Sequence, residues 1–326
     1  MNVNLYGCDG KWLMVDLGMT FGAAEYPGTE LVFADLDFIE ERRKDLLGVV
    51  LTHAHEDHIG AVPYFAEELG VPLYATPFTA RLVASKLEEA GIRSKVDLRV
   101  IDHLDPFQLG AFSVRYLPLA HSIAEGNALL IETPYGRIFH TGDWKLDDEP
   151  LVGVPTTAEA LTAIGDEGIL ALVCDSTNVF NGSASGSEGD VRRGLMAEVS
   201  KHKGRRVLVT TFASNVARLQ TLAEVATANG RKLCVTGRSL DRIIETAQAS
   251  LQLLGLQVEG IGRKTNLLEG IRHDLAFCPA HGTGSGSGAA LAASAACSAS
   301  MIFAASVLSD QRLSTESPIS AALASI

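Results

Sequence analysis

The sequence predicts a layered α/β protein of two units, a mixed α/β one followed by a doubly wound one. Three observations predict it. Up to about residue 185, short apolar runs alternate with turn residues and helical stretches. After the Gly/Ser-rich stretch Asn181 to Gly189, the order becomes strand, short turn, helix, then the same again. The chain has 326 residues, 47% of them hydrophobic, enough for two cores.

The elements follow in chain order. Lys11 to Asp16 reads as a strand ending in a turn around Gly18. Leu46 to Thr52 is a continuous apolar run, as in a strand buried on both faces. Thr79 to Ala90 has helical periodicity, and Phe112 to Leu117 is a further strand. Asn127 to Glu132 and Arg137 to His140 flank Pro134-Tyr135-Gly136, which reads as a hairpin turn. Ile169 to Val173 reads as a buried strand that Asp175 closes. In the second unit, Arg205 to Thr210 and Lys232 to Thr236 are strands. Each is followed by a helix, the first from Ser214 through Ala228 and the second from Ser239 through Ala249. The boundary is expected at residues 185/186, giving units 1–185 and 186–326.

Composition narrows the class. The net charge is −12 and the pI about 5.2, which argues against broad non-specific binding to nucleic acid. A local basic cleft or bound metal could still hold phosphate. The N-terminal residues lack a basic stretch and apolar core, and the five scattered cysteines form no CxxC pair. A cytoplasmic protein with reduced thiols is expected. Ala289 to Leu308 is apolar, but Ala and Ser insert weakly and no basic residue flanks the run. No membrane span is expected.

His53-Ala54-His55-Glu56-Asp57-His58 follows directly on the apolar strand. Sites in α/β folds gather at carboxyl ends of strands, and imidazole and carboxylate together suit zinc. A polar loop that happens to hold three histidines is the bland alternative, and so much uncompensated polarity beside a buried strand argues against it. His121 and Asp143 also follow strands, the latter in Thr141-Gly142-Asp143-Trp144. Of the other histidines, His103, His202 and His273 read as surface or structural. His140 reads as a packed core residue close to Asp143.

The HxHxDH cluster with a later His and a Gly-Asp pair resembles the metallo-β-lactamase superfamily. The resemblance implies an αββα sandwich and two Zn2+ ions. His53, His55 and His121 would hold one ion, Asp57 and His58 the other, with Asp143 bridging and water as nucleophile. Further segments, Thr52 to Pro63, Thr141 to Asp147, Cys174 to Asn178, Thr210 to Arg218 and Gly237 to Ser239, resemble the ribonuclease J family of β-CASP nucleases. That likeness implies 5′-to-3′ exonuclease and endonuclease action on single-stranded RNA, in a dimer or tetramer. Asp57, His58 and Asp175 are then the candidate catalytic residues. Asp175 would be the acidic motif, against the alternative of a plain Asx turn. Ser214 and Asn215 could cap the helix that follows or present its N–H groups to phosphate. With Arg238 they are the candidate RNA contacts. Arg205, Arg206, Arg231 and Arg242 could line an RNA cleft or solvate the surface.

The likeness decays after Asp274. From Leu275 to Ser309 no Asp, Glu, Lys or Arg occurs, though Met301-Ile302-Phe303 still echoes a family segment. The tail is expected to be a frame-disrupted or degenerate end of a longer protein, leaving the β-CASP unit incomplete. Pro279-Ala280-His281-Gly282 matches the last family motif in letters but comes too early, so His281 is not expected to be the final ligand. The second ion would then lack a ligand. An RNA-cleaving hydrolase, a small-molecule hydrolase on the same scaffold and an inactive RNA- or partner-binding remnant are the competing readings.

Overall fold

The computed structural model describes residues 1–22, 27–102, 105–147, 149–153, 155–180, 182, 186–250 and 301–306. His103, His273, His281 and the tail at 275–300 and 307–326 lie outside them.

Two five-stranded sheets face each other. The first runs Asn4–Cys8, Lys11–Val15, Leu46–Val50, Leu73–Ala75, Leu98–Val100. Its first two strands form an antiparallel hairpin, and the remaining pairs are parallel. The second runs Ala171–Val173, Gly136–His140, Asn127–Thr133, Phe112–Pro118, Phe107–Leu109. The expected hairpin around Pro134 is present, with Leu129 opposite His140 and Thr133 opposite Gly136.

Alternation along the strands builds the core between the sheets. Leu13 and Val15 from one sheet meet Phe112, Val114, Tyr116, Leu129 and Ile131 from the other, all buried. The Tyr116 hydroxyl crosses the gap and reaches the carbonyls of Leu51 and Tyr74 at 3.1 and 3.0 Å. Outside the first sheet lie helices Val62–Leu69 and Pro77–Glu89, burying Val62, Leu69, Phe78, Leu82 and Val83. Outside the second, Ala158–Asp166 packs Leu161 and Ile164 on Leu119, Ala128 and Phe139. The layers are α, β, β, α, as expected.

In the second unit Val207–Thr211 and Lys232–Thr236 do not pair directly. Met301–Ser306 lies between them, parallel to both. Helices Val216–Ala228 and Arg238–Ser250 follow their strands as expected. One helix went unread, Glu188–Lys201, which starts inside the supposed Gly/Ser-rich linker. Ser187 and Asp190 form a capping box there, and Leu195 and Val199 bury against the same core as Val207.

The strand before Asp175 needs correction. It spans Ala171–Val173 alone and is an edge strand, with Leu170 and Leu172 exposed at 70% and 61%. Its single described neighbour is Gly136–His140, so an apolar sequence here did not mean a buried strand. Among the described residues no helix is long and apolar enough to cross a membrane.

Candidate metal centre

The site gathers at the carboxyl ends of strands from both sheets. Leu46–Val50 leads into Thr52 and His53, and His55 begins the short helix Glu56–Ile59 that carries Asp57 and His58. The loop after Phe112–Pro118 supplies His121, and the turn after Gly136–His140 supplies Asp143. Gly142 makes that turn at φ 55°, and a Cβ there would lie 2.9 Å from the Asn127 carbonyl oxygen.

The candidate ligand atoms converge. His53 Nε2 and His121 Nε2 each lie 3.0 Å from His55 Nδ1. Asp143 Oδ2 is 3.8 Å from His53 Nε2 and 3.7 Å from His121 Nε2. Across Asp143, His58 Nε2 is 3.2 Å from Oδ1 and 3.5 Å from Asp57 Oδ2. A tetrahedron with bonds of about 2.0–2.1 Å has edges of about 3.3 Å, so both groups have the spacing of ligands around a small cation. The structure brings all six predicted ligands together, in two groups that share Asp143.

The chemistry of the donors agrees with the spacing. Burial, first, and the neighbouring imidazoles, next, hold His53 well below the usual imidazole range. Burial and His121 bring His55 down to about 3. His121 is lowered too, again chiefly by burial. These rings are neutral near pH 7, the form that offers a lone pair. His58 differs. Burial alone would lower it, but Asp16, Asp143 and Asp57 together outweigh burial and hold it well above the usual range. The Asp57 carboxyl is brought down to about 2. Burial opposes that fall, and hydrogen bonding and charge from His58 produce it. This donor set suits a divalent ion at each position.

Asp16 was not singled out in the sequence. It is fully buried, at φ 62°, one residue past the strand Lys11–Val15. Its carboxylate accepts from Thr52 N at 2.7 Å and Thr52 Oγ1 at 2.9 Å, and lies 2.7 Å from His58 Nδ1. With the Nδ1 proton held there, Nε2 is the nitrogen that a cation would take once the ring gives up its second proton. Its sequence signal was a charged residue closing an apolar strand, just before a turn. Two more residues were missed. Asn2 reaches Asp57 and His58 with its side chain. Tyr6 Oη lies 2.8 Å from His140 Nδ1, and the His140 ring is buried beside the site, as expected.

Two cavities open onto the centre, of about 360 and 270 Å³. Asp143, Asp175 and Thr177 line both. Asp175 Oδ1 accepts from Thr177 N at 2.8 Å and Thr177 Oγ1 at 2.6 Å, so the Asx turn is real and coexists with a place in the cavity wall. Asn215 caps its helix through Arg218 N at 2.8 Å. Ser214, Asn215 and Arg238 line neither cavity, whereas Ala217 of the capped helix lines the second. Arg242 pairs with Glu89, and Arg231 bonds the carbonyls of Arg205 and His202, so these two serve the fold.

Comparison with known proteins agrees with this geometry. Residues 2–155 match the family model of the metallo-β-lactamase superfamily, and residues 204–279 match that of the ribonuclease J β-CASP domain. Ribonuclease J of Sinorhizobium meliloti is 40% identical over 280 residues, 85% of this chain and 47% of that protein. Ribonuclease J of Corynebacterium glutamicum is 38% identical over 248 residues, 76% of this chain and 34% of its own length. The chain thus spans less than half the length of either relative. A crystal structure of a protein of unknown function from Enterococcus faecalis V583 shares the fold, with TM-score 0.53 and 19% identity. The match covers 74% of this chain and 64% of that one. The fold and site define a metallo-β-lactamase-fold protein with a β-CASP unit. Within that class, the chain belongs to the ribonuclease J family.

Proposed function

We propose that the chain is a metal-dependent ribonuclease that hydrolyses phosphodiester bonds of single-stranded RNA at a two-ion site. The observation that carries this reading is Asp143. It is shared by the His53–His55–His121 group and the Asp57–His58 group, and it stands where the two cavities meet. Bound there, zinc ions would supply Lewis acidity, lower the pKa of water and clamp the oxygens of an in-line displacement. The chain's own residues hold that geometry. Asp16 fixes the His58 tautomer, and Asp57 and Asp143 carry the negative charge that draws cations in. Asp175, fixed by Thr177, faces both cavities and can orient a substrate oxygen. The relatives named ribonuclease J support RNA as the substrate class.

Further parts of the proposal are the boundary at 185/186, cytoplasmic location and assembly as a dimer or tetramer. Ser214, Asn215 and Arg238 are proposed RNA contacts, with Arg238 the exposed cation among them. Both exonuclease and endonuclease action are proposed. The test is purified chain with its metal content measured, incubated with 5′-monophosphorylated RNA. RNA loss that chelator and Asp143→Ala both abolish is expected. Ester turnover without RNA loss, or no turnover by metal-loaded protein, would overturn the reading. Light scattering of the same sample reads the assembly state.

A further inference from the structure

We propose that Asn2 is itself a metal ligand, its side-chain oxygen Oδ1 closing the site formed by Asp57, His58 and Asp143. The inference rests on the two-ion reading above and deepens it. Among the described residues, His, Cys, Asp and Glu give this position three donors, Asp57, His58 and Asp143. Asn2 is the fourth polar side chain in the same group. Its terminal Nδ2 lies 2.9 Å from His58 Nε2 and 3.2 Å from Asp57 Oδ2. With the 3.2 and 3.5 Å separations from His58 to Asp143 and Asp57, four separations within this group lie near the edge length of a tetrahedral metal site.

The backbone of Asn2 is fixed on both sides. Its N–H donates to the Asp57 carbonyl at 2.7 Å, and its own carbonyl accepts from Gly18 N at 3.0 Å. A Cβ on Gly18 would lie 1.7 Å from the Asp57 carbonyl oxygen and 2.9 Å from Asn2 N. The chain uses glycine where the strand end, the Asn2 segment and the ligand loop meet. The Asn2 side chain therefore enters the site from an anchored main chain, and it lines the larger cavity with Asp57, His58 and Asp143.

Electrostatics chooses the orientation of the amide. An NH2 facing His58 Nε2 and Asp57 Oδ2 would point its protons at any cation those two atoms share. A half-turn about the Cβ–Cγ bond exchanges Nδ2 and Oδ1 with little displacement of either position. It then presents a carbonyl oxygen, an ordinary ligand for hard divalent ions. The first position has three nitrogens and one oxygen, and the second would have three oxygens and one nitrogen. Oxygen-rich sites favour harder ions, so the second position should discriminate less strongly against Mn2+ than the first.

The test is metal binding by the full chain, without reference to activity. Zn2+ and Mn2+ are titrated separately into wild type, Asn2→Ala, Asn2→Asp and His58→Ala. Bound ions are counted after equilibrium dialysis, and bound Mn2+ is also read by electron paramagnetic resonance. Wild type should bind two ions. Asn2→Ala should leave the first ion's affinity unchanged and weaken the second by about 10–100-fold, the scale on which support of a metal ligand is felt. Asn2→Asp keeps an oxygen at the position but has no N–H to donate, so it should restore the second ion. A purely structural role for the Nδ2 hydrogen bonds would leave Asn2→Asp as impaired as Asn2→Ala, and that result overturns the proposal. So does wild-type binding of both ions by Asn2→Ala. If wild type and His58→Ala bind the same single ion, the two-ion reading has failed and this inference falls with it. If only His58→Ala loses an ion, the two-ion reading stands and Asn2 alone is excluded. Unchanged affinity for the first ion, with an unchanged far-ultraviolet circular dichroism spectrum, controls for folding.

Discussion

The Asp16 carboxylate is fully buried, and a buried polar group persists where hydrogen bonds answer it. Thr52 and His58 supply those bonds, and the ligand loop is held to the first strand hairpin by the same contacts. Asp16→Asn keeps the size and replaces the charge, so His58 loses the partner that fixes its Nδ1 proton. We expect the second ion to bind about 10–100-fold more weakly, with the first little changed, on titration of the purified variant. The histidines also set a pH dependence in chelator-stripped protein. His53, His55 and His121 have folded pKa values below the unfolded value of about 6.5. Their contribution is complete above that value and is lost as pH falls towards the folded ones, about 3 for His55. His58 has the opposite sign. Its raised folded pKa gives stability that is complete below about 6.5 and lost as pH rises through the folded value. Between about pH 6.5 and 4.5 the three lowered rings therefore set the slope, and denaturant midpoints should fall with acidification. A flat profile there would mean that these rings are not buried neutral in the folded state. Asp16 shows what sequence reading lacked at this scale. The His53–His58 cluster was legible because its ligand types crowd one short stretch. Asp16 and Asn2 were not, because each acts alone at a distance along the chain that only the fold closes.

At the scale of elements, close approach is the governing constraint. The Asn4–Cys8 and Lys11–Val15 hairpin ends where Gly18 meets the Glu56–Ile59 helix, and no side chain fits between them. Gly18→Ala would drive a Cβ into the Asp57 carbonyl, so the turn or the ligand helix must shift. Overpacking of this kind costs about 1–3 kcal/mol or more. The expected outcome is a lower denaturation midpoint together with loss of the second ion, while His53, His55 and His121 still hold the first. Loss of both ions together would mean that the two positions do not respond separately. Most strands of five or more residues bounded by turn residues were legible, including Phe112–Pro118 and the hairpin at Pro134, though Asn4–Cys8 was not. Glu188–Lys201 was hidden because Gly189 and Gly194 interrupt its pattern and Ser187 reads equally as linker or cap. The exposure of Ala171–Val173 was hidden for another reason. Apolar composition reports what a strand could bury, and its position at the sheet edge decides what it does bury.

At the scale of the molecule, the metal centre joins parts that are far apart in sequence. Its candidate ligands come from the first sheet's loop and from two loops of the second sheet. The second unit is tied to the same region, since Ala217 N donates to Ser122 O at 3.1 Å, beside His121. A layered α/β first unit and the doubly wound rhythm of the second were readable from apolar periodicity, and the αββα order was implied by the family resemblance. The pairing of Met301–Ser306 between the two other strands was not, since a parallel neighbour leaves no local mark. Because the ligands bridge both sheets, ion binding should report on the whole fold. A ligand that binds only the folded state at a free concentration a hundred times its Kd adds about 2.7 kcal/mol per site. For a unit of this size that corresponds to a rise in Tm on the order of 5–10 °C. With both positions filled, thermal melts of stripped and Zn2+-loaded protein should differ by about twice that much. The difference should shrink in Asp143→Ala, which removes the shared candidate ligand, and by about half in His58→Ala, which removes one position. Equal shifts in wild type and Asp143→Ala would show that the ion stabilises the protein from somewhere other than this centre.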